Sequence, residues 1–120
     1  VKHCLKFLYL MEKNTNIKCN NIIKDVTFIA GATSIQNGDK FYEQVFNEIV
    51  NGRIVNCLSK DDEVLRQLYS FAIKKTAIGR DGFSFSEGNY QKIENYDFTP
   101  FGFGHLDYRD NMNIVFNKIK

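Results

Sequence analysis

No stretch of this sequence approaches the roughly 20 consecutive apolar residues that cross a bilayer, and no basic, apolar and small-residue leader opens it. It therefore reads as neither a membrane span nor a signal peptide. An excess of one charge is also lacking. The 16 Lys and Arg stand against 14 Asp and Glu, a formal net charge of +2 that excludes a polybasic nucleic-acid binder and an acidic tail. Cysteine is sparse: Cys4, Cys19 and Cys57 lie far apart with no CxxC pair, so they read as reduced thiols, with Cys4 and Cys57 expected as small buried groups. His3 and Cys4 are adjacent and His105 stands alone, so the short-spaced ligand pairs of a zinc site are missing, and no metal or other cofactor is expected. No Gly-Lys-Ser/Thr closes a phosphate loop, and no asparagine heads a glycosylation acceptor, which fits a cytosolic setting.

What is present is a folding chain. Its 120 residues are 43% hydrophobic and 14% aromatic, enough for one core and incompatible with disorder. Val1, Cys4, Leu5, Leu8 and Met11 recur at helical spacing over residues 1–13. Residues 25–30 form a short apolar run of the buried, parallel-sheet kind. Asp39 then precedes Phe41, Tyr42, Val45, Phe46, Ile49 and Val50, a second helix with Asn51 and Gly52 as its stop. A second strand spans 53–58, and residues 59–62 form a turn with capping potential. The third helix places Val64, Leu65, Leu68, Tyr69 and Ala72 on one face and ends at Lys74 and Lys75. Residues 79–88 read as an irregular surface connection, 93–98 as a third strand, and 99–106 as a loop holding the only proline, Pro100. A final helix over 109–120 turns Met112, Val115, Phe116 and Ile119 inward.

The alternation predicts an α/β fold, a parallel three-stranded sheet with flanking helices and right-handed crossovers. So few strands, beginning at a bare helix, read as half of a larger domain. In open parallel sheets functional groups collect beyond the carboxyl ends of strands. The loops there hold Gly31–Ser34, Ser59–Asp62 and Pro100–His105. Asp62 after one strand and His105 after the next match the acid and base of a Ser…Asp…His relay in α/β-hydrolase chain order, with Asp61 as a competing acid. Plainer roles compete. Asp62 stands where a helix N-cap belongs, His105 suits a loop histidine bonded to backbone, Asp107 and Arg109 suit a surface ion pair, and Ser34 and Ser59 suit turns. No Gly-x-Ser-x-Gly nucleophile elbow occurs in these residues.

The segments 26–32, 49–56, 59–65 with Leu68 and Tyr69, 93–97 and Gly104-His-Leu-Asp-Tyr-Arg109 resemble, in order and spacing, the carboxyl-terminal part of the DUF726 family of α/β-hydrolase-like proteins. The resemblance implies that residues 1–120 are the C-terminal part of such a domain, with α-helical residues 1–13 following a nucleophile elbow located before Val1. It also implies that Asp62 is the orienting acid and His105 the general base, acting on an ester, lipid-derived in view of the family's membrane segments. Departures are Thr33 where the family tends to proline, Glu63 where it tends to Trp, and the polar stretch 79–88 in place of an apolar tract.

The expectation is thus the C-terminal portion of a serine-hydrolase-like, esterase- or lipase-type domain, not competent as this stretch alone. The alternative is a non-catalytic α/β-hydrolase-like binding or assembly module, a subunit of a larger membrane-associated complex. Either way the expected partner is the remainder of the domain, or a second chain, completing the sheet, with no nucleic acid. The expected location is the cytoplasmic face of a membrane, attached through segments outside these residues.

Overall fold

The computed structural model describes residues 1–85 and 93–120. Its elements are α1 (Lys2–Asn14), β1 (Val26–Ile29), α2 (Lys40–Ile49), β2 (Ile54–Leu58), and α3 (Glu63–Gln67), which runs into a π-helical turn (Leu68–Ile73). They continue with α4 (Ile78–Asp81), β3 (Ile93–Asp97), a 3₁₀ turn (Thr99–Phe101), α5 (Asp107–Asp110) and α6 (Met112–Ile119). The strands pair in parallel in the order β1-β2-β3, with Val26 opposite Ile54 and Ile54 opposite Ile93. This is an α/β sheet with flanking helices.

β2 lies in the middle, and all five of its residues are buried. Successive side chains of a strand point to opposite faces. Ile54 accordingly packs with Leu5, Phe28, Phe46, Ile49, Ile78 and Phe83. Val55 and Cys57 instead join Phe98, Phe103, Tyr108, Val115 and Ile119. Helices α1, α2 and α4 thus cover one face, and α5 with α6 covers the other. α2 is the firmest of these: the Asp39 carboxylate accepts the Tyr42 N–H at 3.1 Å, and Val45, Phe46 and Ile49 go fully inward. Each such side chain stabilises the fold by about 1.5–3 kcal/mol.

Several expectations are corrected. Cys4 is exposed, because α1 commits only Leu5 fully to the core and leaves Val1 65% exposed, and the buried cysteines are Cys19 and Cys57. The α2 stop comes at Val50, whose N–H bonds the Phe46 carbonyl in extended geometry. Gly52 serves a different purpose, since a Cβ there would collide with the Asp25 carboxylate and the Lys24 carbonyl. The third helix widens into a π-turn after Gln67, and of its expected face only Leu65 and Tyr69 are buried, while Val64, Leu68 and Ala72 face out.

Residues 79–85 are not a surface excursion: Gly79 and Phe83 are buried, and the rest of that stretch, 86–88, lies outside the described residues. α4 crosses the carboxyl ends of the strands, with the Gly79 N–H donating to Gly31 O at 3.1 Å and the Ser59 N–H to Gly79 O at 3.0 Å. The final helix begins two residues early and breaks at Asn111 into α5 and α6, and within α6 Phe116 is exposed beside the buried Val115.

Candidate active site

The two residues singled out beyond the strand ends meet. Asp62 ends the β2–α3 turn in extended geometry, and its Oδ1 accepts the Leu65 N–H at 2.9 Å, satisfying one of the free donors of the first helical turn. Its Oδ2 lies 2.8 Å from His105 Nδ1. The Asp62 side chain is 0% exposed and that of His105 28%. A carboxylate only accepts, so the imidazole donates from Nδ1 and Nε2 is left as the basic nitrogen. Nε2 makes no hydrogen bond among the described residues. The expected cap is therefore real, and the same carboxylate also holds the imidazole. The expected backbone bond of His105 is replaced by this side-chain contact, and Asp61 is exposed and takes no part in it.

The loop that delivers His105 is fixed at both ends. Phe98 and Phe103 stack with centroids 5.5 Å apart, and Tyr108 meets Phe103 edge-on at 5.2 Å. Between them Gly102 adopts φ +70°, a left-handed conformation that favours glycine. The Asp107 Oδ2 accepts the Gly104 N–H at 2.6 Å, and Arg109 pairs with Asp110 at 3.0 Å, which corrects the expected Asp107–Arg109 pair. An acid two residues beyond the histidine serves the loop's own backbone.

Sequence reasoning missed the groups that join the two loops. Ser59, read as a turn residue, is fully buried, and its hydroxyl donates to the Phe103 carbonyl at 2.5 Å while accepting the Asp61 N–H at 3.3 Å. The Lys60 N–H donates to Thr99 Oγ1 at 2.9 Å, and Thr99 in turn donates through N–H and O–H to Asp97. Burial pushes Asp97 upward, but the two Thr99 bonds with Lys60 and Lys118 outweigh it and hold its pKa below the ordinary carboxylate range. Tyr108 is a further buried neighbour. Its hydroxyl has no partner among the described residues, and burial first, then the fields of Cys57, Asp62 and Asp97, raise its pKa. A serine three residues before the acid and a tyrosine three after the histidine were the available signals.

The free side of β1 is grooved. One cleft of about 550 Å³ is lined by Val1, Lys2, His3 and the run Thr27–Thr33, and another of about 350 Å³ by Val1, Cys4, Leu5, Ile23 and Asp25–Thr27. The Lys2 ammonium donates to Ser34 O at 2.6 Å, which puts the start of α1 at the carboxyl end of β1. Among the described residues no group of three or more His, Cys, Asp or Glu could hold a metal ion, and no helix is long and apolar enough to cross a membrane.

Fold and site together define an α/β protein whose parallel sheet carries, at its carboxyl edge, a buried carboxylate bonded to a partly exposed imidazole. The chain belongs to the family described as a protein of unknown function, DUF726, whose sequence model matches residues 1–120. It is similar to an uncharacterized membrane protein of Caenorhabditis elegans, 27% identical over 117 residues that cover 98% of this chain and 18% of that protein. The chain therefore spans less than a fifth of the length of that relative. No solved structure matches it.

Proposed function

We propose that Asp62 and His105 are the acid and base of a serine-hydrolase relay in an α/β-hydrolase-like domain that cleaves an acyl ester. The single observation that carries this reading is the 2.8 Å contact between a capped, buried carboxylate and an imidazole delivered from successive parallel strands. In the proposed reaction Nε2 of His105 takes the proton of a serine hydroxyl as its oxygen adds to the acyl carbon, then returns it to the departing alcohol. Water repeats the cycle to release the acid and restore the serine.

The serine belongs to polypeptide preceding Val1. α1 starts at the carboxyl end of β1 and covers the same face as α2. A strand feeding α1 by a right-handed crossover would then lie in the groove beside β1, extending the order in which β1 and β2 already follow one another. Its carboxyl end would turn into α1 at Val1, on the sheet edge that holds Asp62 and His105.

Fluorophosphonate labelling of the full-length protein tests the relay. The expected result is a serine adduct upstream of Val1, formed roughly a hundredfold or more slowly in His105→Ala. A folded protein that gives no serine adduct overturns it. A non-catalytic module is the second reading, and one observation favours it: both Asp62 oxygens are engaged, so the contact with His105 also serves simply to pair a buried carboxylate.

A further inference from the structure

Beyond the acid, α3 and the π-turn leave a stripe of apolar side chains uncovered. Val64, Leu68 and Phe71 are 53%, 44% and 70% exposed, while Leu65 and Tyr69 turn inward and are buried. Ile73 ends the same turn 42% exposed, and Leu106, the neighbour of His105, is 66% exposed. Asp62 caps α3 beside His105, and the Ile78 N–H bonds Thr33 O beyond β1, so both ends of the segment that carries these side chains lie at the carboxyl edge of the sheet.

Around the stripe Lys60 and Arg66 offset Asp61 and Glu63, which leaves the charge of Lys74 and Lys75 in excess. Lys74 and Lys75 close the π-turn. Lys2 of α1, which burial and then Asp39 affect most, also feels the positive charge of Lys75 and Lys6. At the other end Glu63 is bound by Arg66 at 2.7 Å, so its charge is matched locally. A short row of exposed aliphatic and aromatic side chains with lysines at one end is suited to an interface that is apolar just below an anionic surface.

We propose that the stripe Val64, Leu68 and Phe71, with Lys74 and Lys75, docks on an anionic lipid surface and turns the carboxyl edge of the sheet toward the bilayer. Docking needs no chemistry, so the inference stands apart from the relay.

The test is amide hydrogen exchange of the full-length protein in bilayers of phosphatidylcholine, in the same bilayers with phosphatidylserine added, and in detergent. The expected result is protection of residues 64–75 that appears only with phosphatidylserine. Lys74→Glu with Lys75→Glu should lower the protection at least about tenfold through lost attraction to the anionic surface, and Phe71→Ser should weaken it without touching the buried Leu65 and Tyr69. Unchanged exchange on adding phosphatidylserine overturns the proposal. Equal protection in detergent also overturns it, because another part of the protein would then cover the stripe.

Discussion

Asp62 does two things with two oxygens, and they can be separated. Oδ1 caps α3 through Leu65 and Oδ2 holds His105. Asparagine is as good an N-cap as aspartate, so Asp62→Asn keeps the first role, whereas Asp62→Ala loses both at a further cost of about 1 kcal/mol. His105→Ala leaves the cap intact but strands a fully buried oxygen, which costs about 1–3 kcal/mol. Denaturant unfolding of the three variants reads these values directly. If Asp62→Asn and Asp62→Ala were equally unstable, the cap would contribute nothing and Asp62 would be held for the histidine alone. Asp62 and His105 were legible as residues because acid and imidazole followed successive strands. Ser59 and Tyr108 were not, since nothing local distinguishes a serine hydroxyl reaching 44 residues ahead from one closing its own turn.

At the scale of elements, the carboxyl edge is held closed by α4, four residues long. A Cβ on Gly79 would collide with the backbone of Ala30 and Gly31, while Gly79 also bonds Gly31 and Ser59 through its own backbone. Gly79→Ala therefore has to push α4 off the ends of β1 and β2, and the expected loss is at least about 2 kcal/mol in denaturant unfolding, within the range of overpacked sites. A loss below half of that would mean the close approach is not needed. The central strand was readable from the sequence because burial of β2 on both faces writes an apolar run over 54–58 that only Asn56 interrupts. Helix faces were less so: an α-period marks neighbouring apolar residues alike, but Val64 and Leu68 face out beside the buried Leu65 and Tyr69, and Phe116 faces out beside the buried Val115. α4 escaped notice because four residues contain too little periodicity to show a helix.

At the scale of the whole molecule, the question is what lies beside β1. An uncovered strand edge carries unpaired N–H and C=O groups that proteins seldom leave open, and Thr27 stands exposed at the centre of this one. Cys4 is the natural reporter. It lines the groove next to Leu5, Val26 and Thr27 and is exposed here, whereas Cys19 is buried, and burial pushes the Cys57 thiol up to about 11. A thiol reagent acts on thiolate, so Cys57 is inert near neutral pH whatever the rest of the protein does. If a strand from the preceding polypeptide sits along β1, the native full-length protein should protect Cys4 as well, and all three thiols should label only on unfolding. Mapping the modified cysteines by mass spectrometry checks this. Rapid labelling of Cys4 in the native protein would leave the groove open and remove the route by which a nucleophile reaches the edge that holds Asp62 and His105.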